Sequence, residues 1–149
     1  MARKEFKFIN LDKTNLPVTH GKNVNGFRFY EIDGKAYPSV TTVLGIQKKA
    51  GLQKWRDSIG EDVAKWEMNR ASRRGTATHT LIEQYIKNQT PSERSVLPLG
   101  LFKLLRPYVD QLDNIHCLET IMYSKKLTIA GQVDCIAEYN GKLSVIDFK

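Results

Sequence analysis

Residues 134–149 hold two carboxylates and a lysine within one short stretch: Asp134, a turn at Asn140-Gly141, then Asp147 with Lys149 two residues on. Asn-Gly between two apolar runs is a strong signal for a two-residue hairpin. Side chains alternate across a strand, so Asp147 and Lys149 share one face while Ile146 and Phe148 take the other, and the partner strand returns Asp134 to that neighbourhood. Paired carboxylates suit a hard divalent cation such as magnesium or manganese. A lysine beside them can orient a water or offset charge developing on a phosphate, so the chemistry this pattern predicts is phosphodiester hydrolysis. Asp-x-Lys by itself is common on solvated strands. Here residues 143–148 are apolar apart from Ser144 and Asp147. They read as an inner strand covered on both faces, in which a lone carboxylate needs a partner.

Other elements must bring further groups to this face. A helix starting near residue 71 or 76 and ending near 87 aligns His79, Ile82, Glu83 and Ile86 on one side, because residues three and four apart are neighbours. Arg70, Arg73 and Arg74 form a basic cluster just ahead of it. A preceding helix over about 52–69 carries Leu52, Trp55, Ile59, Val63 and Trp66 on one stripe, predicted to pack in the core. A third helix, 98–114, turns Leu101, Leu104, Leu105, Tyr108 and Leu112 inward and is interrupted at Pro107. After it, Cys117, Glu119, Ile121 and Tyr123 alternate along a strand in which Glu119 is the odd polar member. Upstream, 27–37 reads as a hairpin turning at Asp33-Gly34, followed by Ser39 as a helix cap. Residues 1–25 read as a polar arm, leaving 26–149 as one domain in which order begins near Phe27.

The ordered set Arg74-Gly75-Thr76-Ala77-Thr78-His79, Glu83, Glu119, Gly131-Gln132-Val133-Asp134 and Ile146-Asp147-Phe148-Lys149 resembles the PD-(D/E)XK nuclease superfamily. Within it the pattern is similar to the RecB-like exonuclease branch, including mitochondrial and phage members, over about residues 38–149. The resemblance implies an α/β fold with a restriction-endonuclease-like core, a central mixed β-sheet flanked by helices. It implies that His79, Asp134 and Asp147 hold Mg or Mn and that Lys149 is the catalytic lysine, with Glu119 an additional acidic residue of the catalytic set. Arg70, Arg73, Arg74 and Glu83 are assigned to the DNA-facing side. The activity implied is metal-dependent exonucleolytic cleavage of single-stranded or end-opened DNA. In that branch further sheet and a helix bearing glutamine and tyrosine follow the Asp-x-Lys strand. A C-terminal polypeptide is therefore expected to complete the fold, and little activity is expected without it. Two other readings stand beside this one: a non-catalytic DNA-binding or assembly subunit, and a sequence-specific endonuclease of the same superfamily.

Composition agrees with this direction. At 149 residues, 41% hydrophobic and 26% charged, the chain needs only one core. Its formal net charge of +7 suits a polyanionic partner. Cys117 and Cys135 lack CxxC spacing and read as core residues, and two thiols do not make the four-thiolate set of an iron–sulfur cluster. No GxxxxGK phosphate loop and no nucleophile elbow occur, so neither nucleotide hydrolysis nor serine chemistry is indicated. No apolar run approaches the roughly 18 residues of a membrane span. The first residues resemble neither a signal nor a transit peptide. The expected setting is the cytoplasm of a bacterial or phage-infected cell rather than the mitochondrial matrix.

Overall fold

Three Asn-Gly or Asp-Gly turns organise the strands, each with both residues in the left-handed region: Asn25-Gly26 (φ 51° and 80°), Asp33-Gly34 (53° and 72°) and Asn140-Gly141 (50° and 77°). Such turns match the right-handed twist of the strands they join. The computed structural model describes residues 3–10 and 14–149, so positions 1, 2 and 11–13 of the expected arm lie outside the described residues. The elements in order are β1 (Gly21–Val24), β2 (Phe27–Ile32), β3 (Lys35–Pro38), α1 (Val40–Ile59), α2 (Glu61–Ile86), α3 (Val96–Val109), β4 (Leu112–Ser124), β5 (Ile129–Tyr139) and β6 (Lys142–Ile146). They form two antiparallel three-stranded sheets, β1-β2-β3 and β4-β5-β6. The α/β class holds, and the arrangement is compatible with a nuclease-like core. The expected mixed sheet is replaced by these two; parallel pairing among the described residues is confined to the isolated bridges Phe8–Ile115 and Ser39–Ala130.

The main core forms where the C-terminal half of α2 meets α3 and the long β4-β5 ladder. Leu81, Ile82, Tyr85, Ile86, Phe102, Val109, Leu112, Ile115, Cys135 and Ala137 pack there, and Phe6 joins them. A smaller cluster, Tyr30, Ile32, Tyr37 and Ala130, fastens the first sheet to β5. Ile82 is fully buried at this junction. Truncating such a residue loses its transfer energy and leaves a cavity, so Ile82→Ala is expected to lower stability by about 2–5 kcal/mol. A urea midpoint unchanged from the parent chain would contradict that. Both cysteines are free and buried, as small core residues are, and burial pushes the Cys135 thiol up to about 12, which keeps it protonated and inert. None of the helices is long and apolar enough, among the described residues, to cross a membrane.

Several expectations change. The stretch 1–25 is more than a polar arm: Phe6 is buried, its backbone N–H and C=O both bond the Asn88 side chain, and Gly21–Val24 is a strand. Order therefore begins well before Phe27. Gly60 (φ 86°) divides what reads as one helix, so that α1 starts at the Ser39 cap and α2 runs on through His79. Ser39 accepts the Thr42 N–H at 2.9 Å, as an N-cap should. Trp55 on α1 and Trp66 on α2 are not in the core: they are 37% and 58% exposed, and α1 buries no residue at all. On α3 the inward stripe is Pro98, Phe102, Leu105 and Val109, spaced by four, three and four; Leu101, Leu104 and Tyr108 face out. Leu112 is buried as the first residue of β4 rather than as part of the helix. Pro107 lies in the last turn of α3, where a missing N–H interrupts little. β6 pairs only with β5, and Leu143 and Val145 are 60% and 75% exposed, so it is an edge strand and not the covered inner strand expected.

Candidate metal centre

β5 carries the hub. The Asp134 side chain is 13% exposed, and its Oδ2 accepts the Phe148 backbone N–H at 2.8 Å. Ladder pairing of β6 stops at Cys135–Ile146, so residues 147–149 leave the sheet and the Phe148 amide turns to the Asp134 carboxylate instead. This one bond fixes the tail against the hub. It also keeps the predicted alternation: Phe148 turns inward, its ring edge-on to His79 with centroids 6.2 Å apart, while Lys149 Nζ pairs with Asp147 Oδ2 at 2.8 Å.

From α2, His79 Nδ1 comes within 3.7 Å of Asp134 Oδ2. From β4, Glu119 stands across the ladder from Asp134, since the pairs Leu118–Cys135 and Thr120–Val133 bracket it. Glu119 has φ 47°, an unusual backbone for a non-glycine residue inside a strand. Its Oε2 accepts Gln132 Nε2 at 2.7 Å. His79, Glu119 and Asp134 each offer one ligand atom, all within 4.8 Å of one another. An imidazole with two carboxylates is a donor set that fits a divalent cation.

The electrostatics agree with that fit. Burial lifts the Glu119 carboxyl above its ordinary value, reinforced by the charges of Asp134 and Glu83 and tempered by His79 and Gln132. Asp134 is also lifted, chiefly by burial, with the Phe148 N–H pulling the other way. Asp147 moves down because it accepts a hydrogen bond from Lys149, and the exposed Lys149 moves up through the same contact. The Asp147 charge adds to the rise at Asp134. Carboxylates crowded without a counter-charge are what a cation would relieve. Beside them opens a cleft of about 530 Å³, whose lining includes Arg28, Ser39, Thr41, Asp134, Asp147 and Lys149.

Four of the expected site residues lie together in the structure: His79, Asp134, Asp147 and Lys149. Glu119 joins the ligand trio, whereas Asp147 stands just outside it, held by Lys149. The odd polar character of Glu119 in its strand is the signal for its place here; nothing in the sequence sets Asp147 apart from it. Glu83 ion-pairs with Lys87 at 2.5 Å and its charge acts on Glu119. The three arginines are not gathered here. At 100° per residue, Arg70, Arg73 and Arg74 project roughly 120 to 180° around α2 from His79. Arg70 instead lies over the Trp66 ring at 5.1 Å.

With this geometry in place, similarity to known proteins adds an independent line. The chain is 31% identical over 123 residues to mitochondrial genome maintenance exonuclease 1 of Homo sapiens, an alignment covering 75% of this chain and 36% of that protein. It is 27% identical over 155 aligned positions to the Mus musculus protein of the same name, covering 97% of this chain and 45% of that one. The similarity supports a relation to a nuclease family. The chain spans less than half the length of these curated relatives. No family model matches the sequence.

Proposed function

We propose that this chain forms the metal-binding and catalytic part of a DNA exonuclease of the RecB-like branch of the PD-(D/E)XK superfamily. The observation that carries the reading is the approach of His79, Glu119 and Asp134 to within 4.8 Å beside the Asp147–Lys149 pair. The name of the relatives agrees with it. His79, Glu119 and Asp134 would hold Mg or Mn, and Asp147 would join them or hold Lys149 in place. When bound, such a cation supplies Lewis acidity at a phosphoryl oxygen and a lowered pKa for coordinated water. The Phe148 N–H orients Asp134. Lys149 presents its ammonium, kept protonated by Asp147, to the charge that grows as water adds to phosphorus and the bond to the leaving oxygen breaks. The exposed position of Lys149, 85% for the side chain, lets it meet an incoming strand.

The test is end-labelled single-stranded DNA incubated with the chain in magnesium, manganese or EDTA. Metal-dependent shortening from an end, with circular single strands spared, is the expected result. Discrete cuts in circular DNA would instead mark an endonuclease, and binding without cleavage in any cation would mark a DNA-binding subunit. The open edge of β6, with Leu143 and Val145 exposed, motivates one addition to the proposal. Such an edge readily accepts another strand, so a complementing polypeptide is proposed to pair there and raise activity. Cleavage at the same rate with and without the C-terminal region of a full-length relative would remove that addition.

A further inference from the structure

We propose that the hairpin of α1 and α2 is a base-stacking interface for single-stranded nucleic acid, with Trp55 and Trp66 as its platforms; this deepens the nuclease reading above and rests on it. The hairpin is an arm with both feet on β5. One foot is α1, where Ser39 bridges Ala130 and Val40 sits so close that a Cβ at Gly131 would lie 3.1 Å from its Cγ2. The other foot is α2 at His79 beside Asp134. The helices turn back at Gly60, where Arg56 Nη2 reaches Met68 Sδ at 3.5 Å. A helix of α1's length spans about 30 Å, yet none of its residues is buried.

The charge of the arm indicates what occupies it. From residue 40 to 76 there are eight lysines and arginines against four carboxylates, which accounts for more than half of the chain's net +7. The basic residues are interleaved with the exposed indoles: Lys54 and Arg56 flank Trp55, and Lys65 precedes Trp66. On α2, Trp66, Arg70 and Arg73 follow one side at i, i+4 and i+7, and the Arg70 guanidinium lies 5.1 Å from the Trp66 ring centroid, so a base would stack on the opposite face of the indole. An apolar protein partner or a second copy of this cationic chain would have to bury those charges unpaired. A nucleic acid strand meets both features, since its phosphates pair with the cations and its bases stack on the indoles. Bases hidden in a duplex cannot stack in this way, so the arm selects single strands. Trp66 lies about 20 Å along α2 from His79. The arm would therefore grip nucleotides some distance from the one held at the centre, and only strands long enough to reach it gain affinity.

The chain has two tryptophans, so its indole emission, excited selectively over the six tyrosines, reports on these sites alone. The test titrates the full chain with oligothymidylate of about 20 nucleotides, a length beyond one single-strand binding site, in EDTA to prevent cleavage. Quenching is expected. Trp55→Ala and Trp66→Ala should each weaken binding about tenfold, as loss of one stacked base does. Phe at either position should keep most of the affinity. The effect should vanish for oligonucleotides too short to span the arm. Because both side chains lie outside the core, thermal melting should be unchanged. The proposal fails if the double alanine variant binds as the parent does or duplex binds as tightly as single strand. It also fails if emission shifts with protein concentration while sedimentation reveals a dimer using this face. Cleavage assayed separately in manganese distinguishes the two readings. Cleavage with tryptophan-insensitive binding overturns the interface alone. Tryptophan-dependent binding with no cleavage in any cation overturns the nuclease reading alone.

Discussion

Asp134→Asn is expected to abolish cleavage and manganese binding while leaving the fold intact. Asp134 neighbours most of the centre: His79, Asp147, the Phe148 amide and, across the ladder, Glu119. Residues one step removed from a metal cost about 10–100-fold in affinity or activity when changed. Loss of a direct carboxylate ligand should exceed the upper end of that range. Asparagine keeps an acceptor for the Phe148 N–H, so the tail should stay docked and circular dichroism should match the parent. The measurement is calorimetric titration with manganese beside oligonucleotide cleavage. Equal heats for parent and variant would remove Asp134 from the ligand set.

Glu119→Gln is expected to stabilise the metal-free chain at neutral pH and to reduce its gain from added cation. Burial raises the folded-state pKa of Glu119 above its unfolded value, so the folded chain binds the proton more tightly than the unfolded one. For an acid shifted upward, stability is greatest below the unfolded pKa, falls as pH rises through the folded value, and stays reduced above it. Asp134, shifted the same way, adds to this trend. The glutamine variant escapes Glu119's share of the penalty. Its urea midpoint in EDTA should therefore exceed that of the parent at pH 7 and converge with it near pH 4, close to the unfolded glutamate value. A cation acts in the opposite sense: at a hundred times its dissociation constant it adds about 2.7 kcal/mol to the parent's stability. A variant midpoint equal to the parent's at pH 7, or equal cation gains for both proteins, would refute the assignment of Glu119.

Turns dictated by two adjacent residues were legible from the sequence. Asp33-Gly34 and Asn140-Gly141 form as read, and Asn25-Gly26 gives an equally strong signal for the β1–β2 hairpin. So was the proximity of His79 and Asp134 to the Asp-x-Lys stretch, because alternation along a strand and the i, i+4 spacing of a helix are local rules. What was not legible depends on the assembled chain. Leu101 and Phe102 are both apolar, and only the approach of α2 and β4 selects Phe102 for the core. Trp55 and Trp66 form a good stripe, yet the fold leaves them 37% and 58% exposed. Glu119 stands in the ligand trio with a left-handed backbone that no residue pattern announces, and Asp147 pairs with Lys149 beyond the point where the ladder ends.

A helix that buries nothing also has a thermodynamic identity of its own. Amide protons exchange with solvent through openings that range from local fraying to global unfolding, and the free energy of each opening follows from the contacts it breaks. Opening α1 breaks few, whereas opening the second half of α2 dismantles the core around Ile82 and Tyr85. Deuterium uptake should therefore divide the α1–α2 hairpin sharply: rapid labelling from Val43 to Ile59, slow labelling from Leu81 to Ile86. The boundary between the two regimes should fall within α2 itself, an uninterrupted helix whose one end melts independently while its other end is as durable as the whole protein.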